Sequence, residues 1–139
     1  MKKKMRFFPD INEIKKVRDY FIEFLKINKI IISDYETFSL ELVLGEIAAN
    51  IIKYGITKEE KSIEFLISYN GNEILFEFVY KGNNISEEKV EKLKKLEVDN
   101  DVMNLKESGR GTFIVNSIMD RVEYNEDRGN ANVKMYKKI

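Results

Sequence analysis

The chain contains no cysteine and no histidine. Without cysteine there is no disulfide, no thiolate metal site and no thiol nucleophile. Without histidine there is no imidazole base, no Ser-His-Asp triad, no His-ligated metal and no phosphohistidine on this chain. Acid/base work falls to Glu, Asp, Lys or Tyr. Net charge is missing too: 24 basic residues balance 24 acidic ones. No field therefore draws nucleic acid or an anionic membrane, and neither is an expected partner. No apolar run reaches the roughly 18 residues of a membrane span, and no signal-peptide core follows the basic start. The expectation is a cytoplasmic protein.

What is present suits one domain with one core. Of the 139 residues, 43% are hydrophobic and 35% charged, an ordinary globular balance, and residues 1–139 read as a single unit. Lys3 to Phe8 reads as a strand ended by the single proline, Pro9. Asp10 can cap a helix to about Asn28, with Ile14, Val17, Phe21, Phe24 and Leu25 at helical spacing. Ser33 or Asp34 can cap a second helix, from about Tyr35 to Lys53. Its apolar positions are Phe38, Leu42, Val43, Ile47 and Ile51, and Gly55 is expected as its left-handed stop. Strands are expected over 62–69 and 73–80, joined by an Asn70-Gly71 hairpin. Lys81-Gly82-Asn83-Asn84 breaks the pattern, and Ser86 opens a charged helix to about Leu96. Residues 97–108 read as a polar loop. A helix then ends near Met119, and strands at 121–125 and 131–136 flank a turn at Asp127-Arg128-Gly129. This order predicts an α+β two-layer sandwich, a mostly antiparallel sheet with helices on one face.

Two constellations could carry chemistry. Glu46 and Asn50 are four residues apart in a mostly apolar helix, so they lie one above the other. Glu46 could orient and deprotonate a water or hydroxyl. Asn50 could offer a carbonyl oxygen to Mg²⁺, a hard cation that takes few protein ligands. From these residues alone a solvent-facing polar edge, with Glu46 bridged to Lys53, is the favoured reading, because exposed charges on helices are the norm. The second constellation is Gly109-Arg110-Gly111-Thr112 at a helix start. Bare backbone N–H groups there suit an anion, and Arg110 and Thr112 add donors. The same glycines could serve only a tight turn. The polar loop before them would suit a lid over a ligand.

Taken together, in this order, the two constellations resemble the N-box and G2 box of the GHKL, or Bergerat-fold, ATP-binding superfamily. The run from Gly109 to Tyr124, with Met119, Asp120, Val122 and Tyr124 after the glycines, resembles bacterial anti-sigma factor serine/threonine-protein kinases most. The resemblance spans nearly the whole chain and implies a Bergerat fold, ATP and Mg²⁺. It implies Glu46 as general base toward a protein serine or threonine and Asn50 as the Mg²⁺ ligand. Gly109, Arg110, Gly111 and Thr112 would line the phosphates beneath a lid at about 97–108. Lys53, Tyr80 and Gly82 would border the nucleotide. The implied partners are a sigma factor and an antagonist protein that the kinase phosphorylates, and the implied assembly is a homodimer through the sheet.

The base-binding end departs from the family pattern. The family's Asp-x-Gly-x-Gly box uses its Asp to accept from the adenine amino group. Here Tyr80 stands for that Asp and Asn84 for the second glycine. A Thr that usually enters the last strand is missing from Gly129-Asn130-Ala131-Asn132. Where the family often has His four residues after Asn50, the chain has Tyr54. A lost charge-assisted hydrogen bond at a buried site costs roughly 1.5–3 kcal/mol, about ten- to a hundred-fold in affinity. Three readings stay open: an active kinase with a remodelled base pocket, a partner-binding module that lost ATP, and a detached histidine-kinase ATPase domain.

Overall fold

The structure is a computed structural model that describes residues 2–57, 62–98, 111 and 113–139, with the backbone alone over 93–98. Alternating apolar and polar residues build its sheet. In β2 (Ile63–Tyr69) and β3 (Glu73–Lys81) every second residue is buried: Ile63, Phe65 and Ile67, then Ile74, Phe76, Phe78 and Tyr80. Period-2 alternation of this kind puts one face on the core and leaves the other to water. β5 (Asn130–Lys138) repeats it with Ala131, Val133 and Met135. With β1 (Lys2–Phe7) and β4 (Arg121–Asp127), the described residues form a five-stranded sheet ordered β1-β2-β3-β5-β4. Every neighbouring pair is antiparallel.

The hairpins carry the chemistry read from sequence. The Asn70 Oδ1 accepts from the backbone N–H of Asn72 and Glu73, at 3.0 and 2.7 Å, holding the β2–β3 turn. Arg128 and Gly129 both take positive φ between β4 and β5, as a two-residue hairpin loop requires. The strands run a residue or two beyond the expected ends because ladder pairing continues to Asp127↔Asn130 and Glu73↔Lys138.

Helices cover one face. Asp10 accepts from the Asn12 N–H at 2.9 Å, but it caps a short 3₁₀ turn, Ile11–Glu13, that precedes α1 (Ile14–Ile27). All five expected α1 positions are buried, and Phe21 meets Phe76 edge-on with centroids 5.3 Å apart. Such aromatic pairs contribute beyond their area, about 0.5–1.5 kcal/mol each. Ser33 caps α2 (Asp34–Asn50), its Oγ accepting from the Glu36 N–H at 3.1 Å. α2 buries Leu40, Val43, Leu44 and Ile47. That i, i+3, i+4, i+7 face leaves out two of the apolar positions read from sequence: Phe38 and Leu42 project to the opposite side and are exposed. α3 (Glu87–Val98) lies beyond β3, and residues 113–118 are helical, with Val115 buried.

α2 does not end in a left-handed glycine. The helix widens into a π turn, Ile51–Gly55, closed by the Ile56 N–H donating to the Ile51 carbonyl at 2.9 Å. Gly55 is needed for closeness instead. A Cβ there would come 2.9 Å from Cε2 of Tyr80. Gly82 lies across it at φ +152°, and a Cβ on Gly82 would collide with the Gly55 carbonyl oxygen.

Gly82→Ala should therefore cost about 2–4 kcal/mol through backbone strain and collision. Gly45, mid-helix with open space around its Cα, should gain about 0.5–1 kcal/mol on Gly45→Ala. Urea denaturation of both variants checks this, and a Gly82→Ala loss below 1 kcal/mol would contradict the crossing.

Candidate functional site

The site is built on the C-terminal half of α2. Glu46 is half-buried, and Asn50, one turn on, is the buried polar residue among those described. Burying a carboxamide costs free energy unless it is hydrogen-bonded. Asn50 sits at the edge of a core made by Ile47 and Ile51, and its side-chain polar atoms are not among the fully buried ones without a partner.

Gly111 brings the second motif to the first. It is buried at the head of the helical segment 113–118. A Cβ at this position would collide with Oε2 of Glu46 and lie 3.4 Å from its Cδ. The carboxylate and the bare glycine backbone thus share one small space, which any other residue would fill. Residues about 65 positions apart in sequence meet here. Gly109, Arg110, Thr112 and the lid over 99–108 lie outside the described residues. At the lid's expected start the loop reading is corrected: Glu97 and Val98 belong to α3, which continues the Ser86-capped helix two residues further.

Lys53 is exposed, with its ammonium 5.7 Å from the Tyr54 ring centroid, and makes no ion pair with Glu46. Tyr54 is buried, and its hydroxyl has no hydrogen-bond partner among the described residues. From sequence it stood out only as a departure from a family pattern. Buried, unpartnered polar atoms are few in folded proteins and mark places where something else is accommodated.

Tyr80 and Gly82 stand at the other end. Three segments cross there. The Asn83 N–H donates to the Gly55 carbonyl at 2.8 Å, the Thr57 N–H to the Lys81 carbonyl at 3.3 Å, and the Gly82 N–H to the Gly129 carbonyl at 2.7 Å. Tyr80 fills the space beneath. Its ring packs against Gly55, and its hydroxyl donates to the Asn83 carbonyl at 2.7 Å. Across the β3–β5 ladder its direct partner is Ala131. A small residue opposite leaves room for the ring. Burial, then the neighbouring Glu126 and Tyr124, pushes the Tyr80 phenol well above its ordinary pKa. Burial, then Glu87, raises Tyr124 to about 12.

The two ends differ in what they could hold. The Glu46 end sets a carboxylate against the side-chain-free backbone of Gly111, with the Asn50 amide one helical turn on, groups of the kinds that suit phosphate and a hard cation. At the Tyr80 end, the space is taken by a neutral aromatic whose one donor is already used.

The comparisons agree with this architecture. A family model described as the histidine kinase-like ATPase domain matches residues 7–137. No curated protein matches the chain. Among solved structures, a chain of the SiaB–SiaC complex from Pseudomonas aeruginosa is similar, with a TM-score of 0.56 and 16% identity. The match covers 97% of this chain and 89% of that one. At that identity the likeness is one of fold.

The tyrosines give a pH test. Both phenols are raised in the folded state. Their contribution is full below the unfolded phenol pKa of about 10 and is lost as pH rises toward the folded value. Stability should fall above pH 10 by up to about 1.4 kcal/mol per pH unit for each tyrosine. Tyr80→Phe should cost about 1 kcal/mol at pH 7 by losing the bond to Asn83, and should flatten the alkaline fall. Urea denaturation between pH 7 and 11.5 measures both effects. An unchanged alkaline slope in Tyr80→Phe would contradict a buried, raised Tyr80.

Proposed function

The chain belongs to the histidine kinase-like ATPase domain family, and from that premise we propose that it is an ATP-dependent regulatory serine/threonine-protein kinase acting on a protein partner. The observation that carries this reading is the contact between the Glu46 carboxylate and Gly111. It sets a candidate base against a backbone able to approach a phosphate.

In this reading Asn50 holds Mg²⁺ through its side-chain carbonyl. Gly109, Arg110, Gly111 and Thr112 line the phosphates, and Lys53 and Gly82 border the nucleotide. ATP with Mg²⁺, when bound, supplies the phosphoryl group. Glu46 takes the proton from the attacking serine or threonine hydroxyl, and its half-buried setting shields it from bulk water without sealing it off. The partners proposed are a sigma factor and an antagonist protein, with a homodimer as the assembly. The similar fold found in a SiaB–SiaC complex supports a protein partner for this chain. The absence, among the described residues, of a helix able to cross a membrane is consistent with a cytoplasmic site of action.

Tyr80 favours a second reading, a partner-binding module without nucleotide. The residue occupies the base end with its hydroxyl already bonded. The two readings separate in one experiment, thermal unfolding with ATP, ADP and GTP, with and without Mg²⁺. A ligand that binds only the native state must stabilise it, by about 2.7 kcal/mol at a hundred times its Kd.

For the kinase, Mg²⁺ with ATP should raise the Tm saturably. Glu46→Gln should keep that rise and lower phosphoryl transfer at least a hundred-fold. Gly111→Val should lose both, because its side chain takes the space beside Glu46. Normal transfer by Glu46→Gln would remove Glu46 as the base. A Tm indifferent to millimolar nucleotide would leave the binding module.

A further inference from the structure

α2 has a second apolar face that the core does not use. Ile31, just before the helix, is 93% exposed, Tyr35 79%, Phe38 64% and Leu42 37%. Their spacing is 4, 3, 4, and Gly45 and Ala49 continue it with 3 and 4. Scattered exposed hydrophobics are normal. A continuous stripe at alternating 3 and 4 is the seam along which two helices pack.

We propose that this stripe is the interface of a symmetric dimer, in which α2 packs antiparallel against α2 of a second copy. The area reaches the lower limit. Tyr35 and Phe38 are large aromatics that are mostly exposed, Ile31 is almost fully exposed and Leu42 partly so, which offers roughly 500 Å² per copy. Two copies would bury about 1,000 Å², the least a specific interface needs. The order of residue sizes identifies the occupant. The N-terminal half of the seam is large, Tyr35 and Phe38. The C-terminal half is small, Gly45 and Ala49, and a Cβ built on Gly45 meets nothing within 4 Å. A two-fold axis at Leu42 sets Phe38 of one copy over Gly45 of the other and Tyr35 over Ala49. A surface whose large half fits its own small half is self-complementary, as an isologous interface must be.

The open sheet face, where a family-type dimer would form, has a different character. One row across it reads Lys4, Leu66, Glu77, Lys134 and Glu123. Association there would weaken with salt. At the α2 seam, Glu41 sits beside the axis next to Leu42, and two like charges would approach one another. Salt should tighten that dimer by screening them. The seam involves no nucleotide, so its formation is independent of the kinase reading.

The absence of cysteine permits a clean test on the full chain. Leu42→Cys places a single thiol at the axis, and Glu23→Cys places one on the exposed side of α1. Sedimentation of the wild type should show a dimer that tightens between 50 and 500 mM NaCl. Mild oxidation should cross-link Leu42→Cys and not Glu23→Cys. Phe38→Glu should lower dimer affinity more than ten-fold. Gly45→Leu should do the same while leaving the Tm equal or higher when measured at concentrations where the wild type is also monomeric, since the added side chain fills the partner's space and not this molecule's. Leu75→Arg, on the open sheet face, should leave the dimer intact. A monomer at 100 µM would overturn the proposal, the face then belonging to another protein or to residues 99–110. A dimer that survives both Phe38→Glu and Gly45→Leu, or is lost only in Leu75→Arg, would overturn it as well.

Discussion

Two bare backbones in contact, at Gly55 and Gly82, set the geometry of the rest. α2 ends here, β3 ends here, and the β4–β5 turn is tied in through the Gly82 N–H and the Gly129 carbonyl. A side chain on Gly82 would run into the Gly55 backbone, and one on Gly55 into the Tyr80 ring. The π turn over Ile51–Gly55 is how α2 meets this demand, widening by one residue per turn to bring Gly55 down onto the strand. Single π turns of this kind are rare and cluster near functional positions. Glu46 and Asn50 lie immediately before it. The same crossing therefore fixes how the polar edge of α2 sits over the sheet and how close it comes to Gly111.

The two departures from the family pattern at Tyr80 and Ala131 turn out to be one. Tyr80 and Ala131 are 51 positions apart in sequence and directly opposed in the β3–β5 ladder. A large residue on one strand is matched by a small one on the next, so the inner face stays at its usual thickness. A carboxylate at the Tyr80 position would need a partner in this buried setting. A phenol needs one acceptor and finds it in the Asn83 carbonyl. The replacement is thus a coherent repacking, not a cavity. At the Glu46 end no such repacking is seen among the described residues, and Glu46 and Gly111 meet.

Most of the fold was legible because it rests on local rules. Period-2 alternation marked β2, β3 and β5, Asn70-Gly71 marked a hairpin, and Ser33 marked a helix start, all from short-range patterns whose physics is local. The meeting of Glu46 with Gly111 was legible in another way, through the resemblance to a family whose two boxes share a site. Gly55 was misread because a helix-ending glycine has two uses, positive φ and close approach, and only the tertiary contact with Tyr80 distinguishes them. Which apolar positions of α2 face the core was open for a related reason. α2 carries two apolar stripes, and periodicity alone cannot say which of them faces the sheet.

That ambiguity has a physical consequence. An apolar stripe on a helix is favourable in water only when it is covered. The core takes Leu40, Val43, Leu44 and Ile47, and the polar edge with Glu46 and Asn50 abuts Gly111. The stripe from Ile31 to Leu42 remains, and leaving aromatic side chains of that size in water forgoes about 25 cal/mol for every Å² left unburied. Neither helix propensity nor capping calls for it: Ser33 already caps α2, and polar residues at Tyr35 and Phe38 would serve the helix as well. An apolar face kept where the monomer does not need it is best explained by contact with something outside the monomer. Its order of residue sizes, large then small along one helix, is what an antiparallel copy of the same helix would complete.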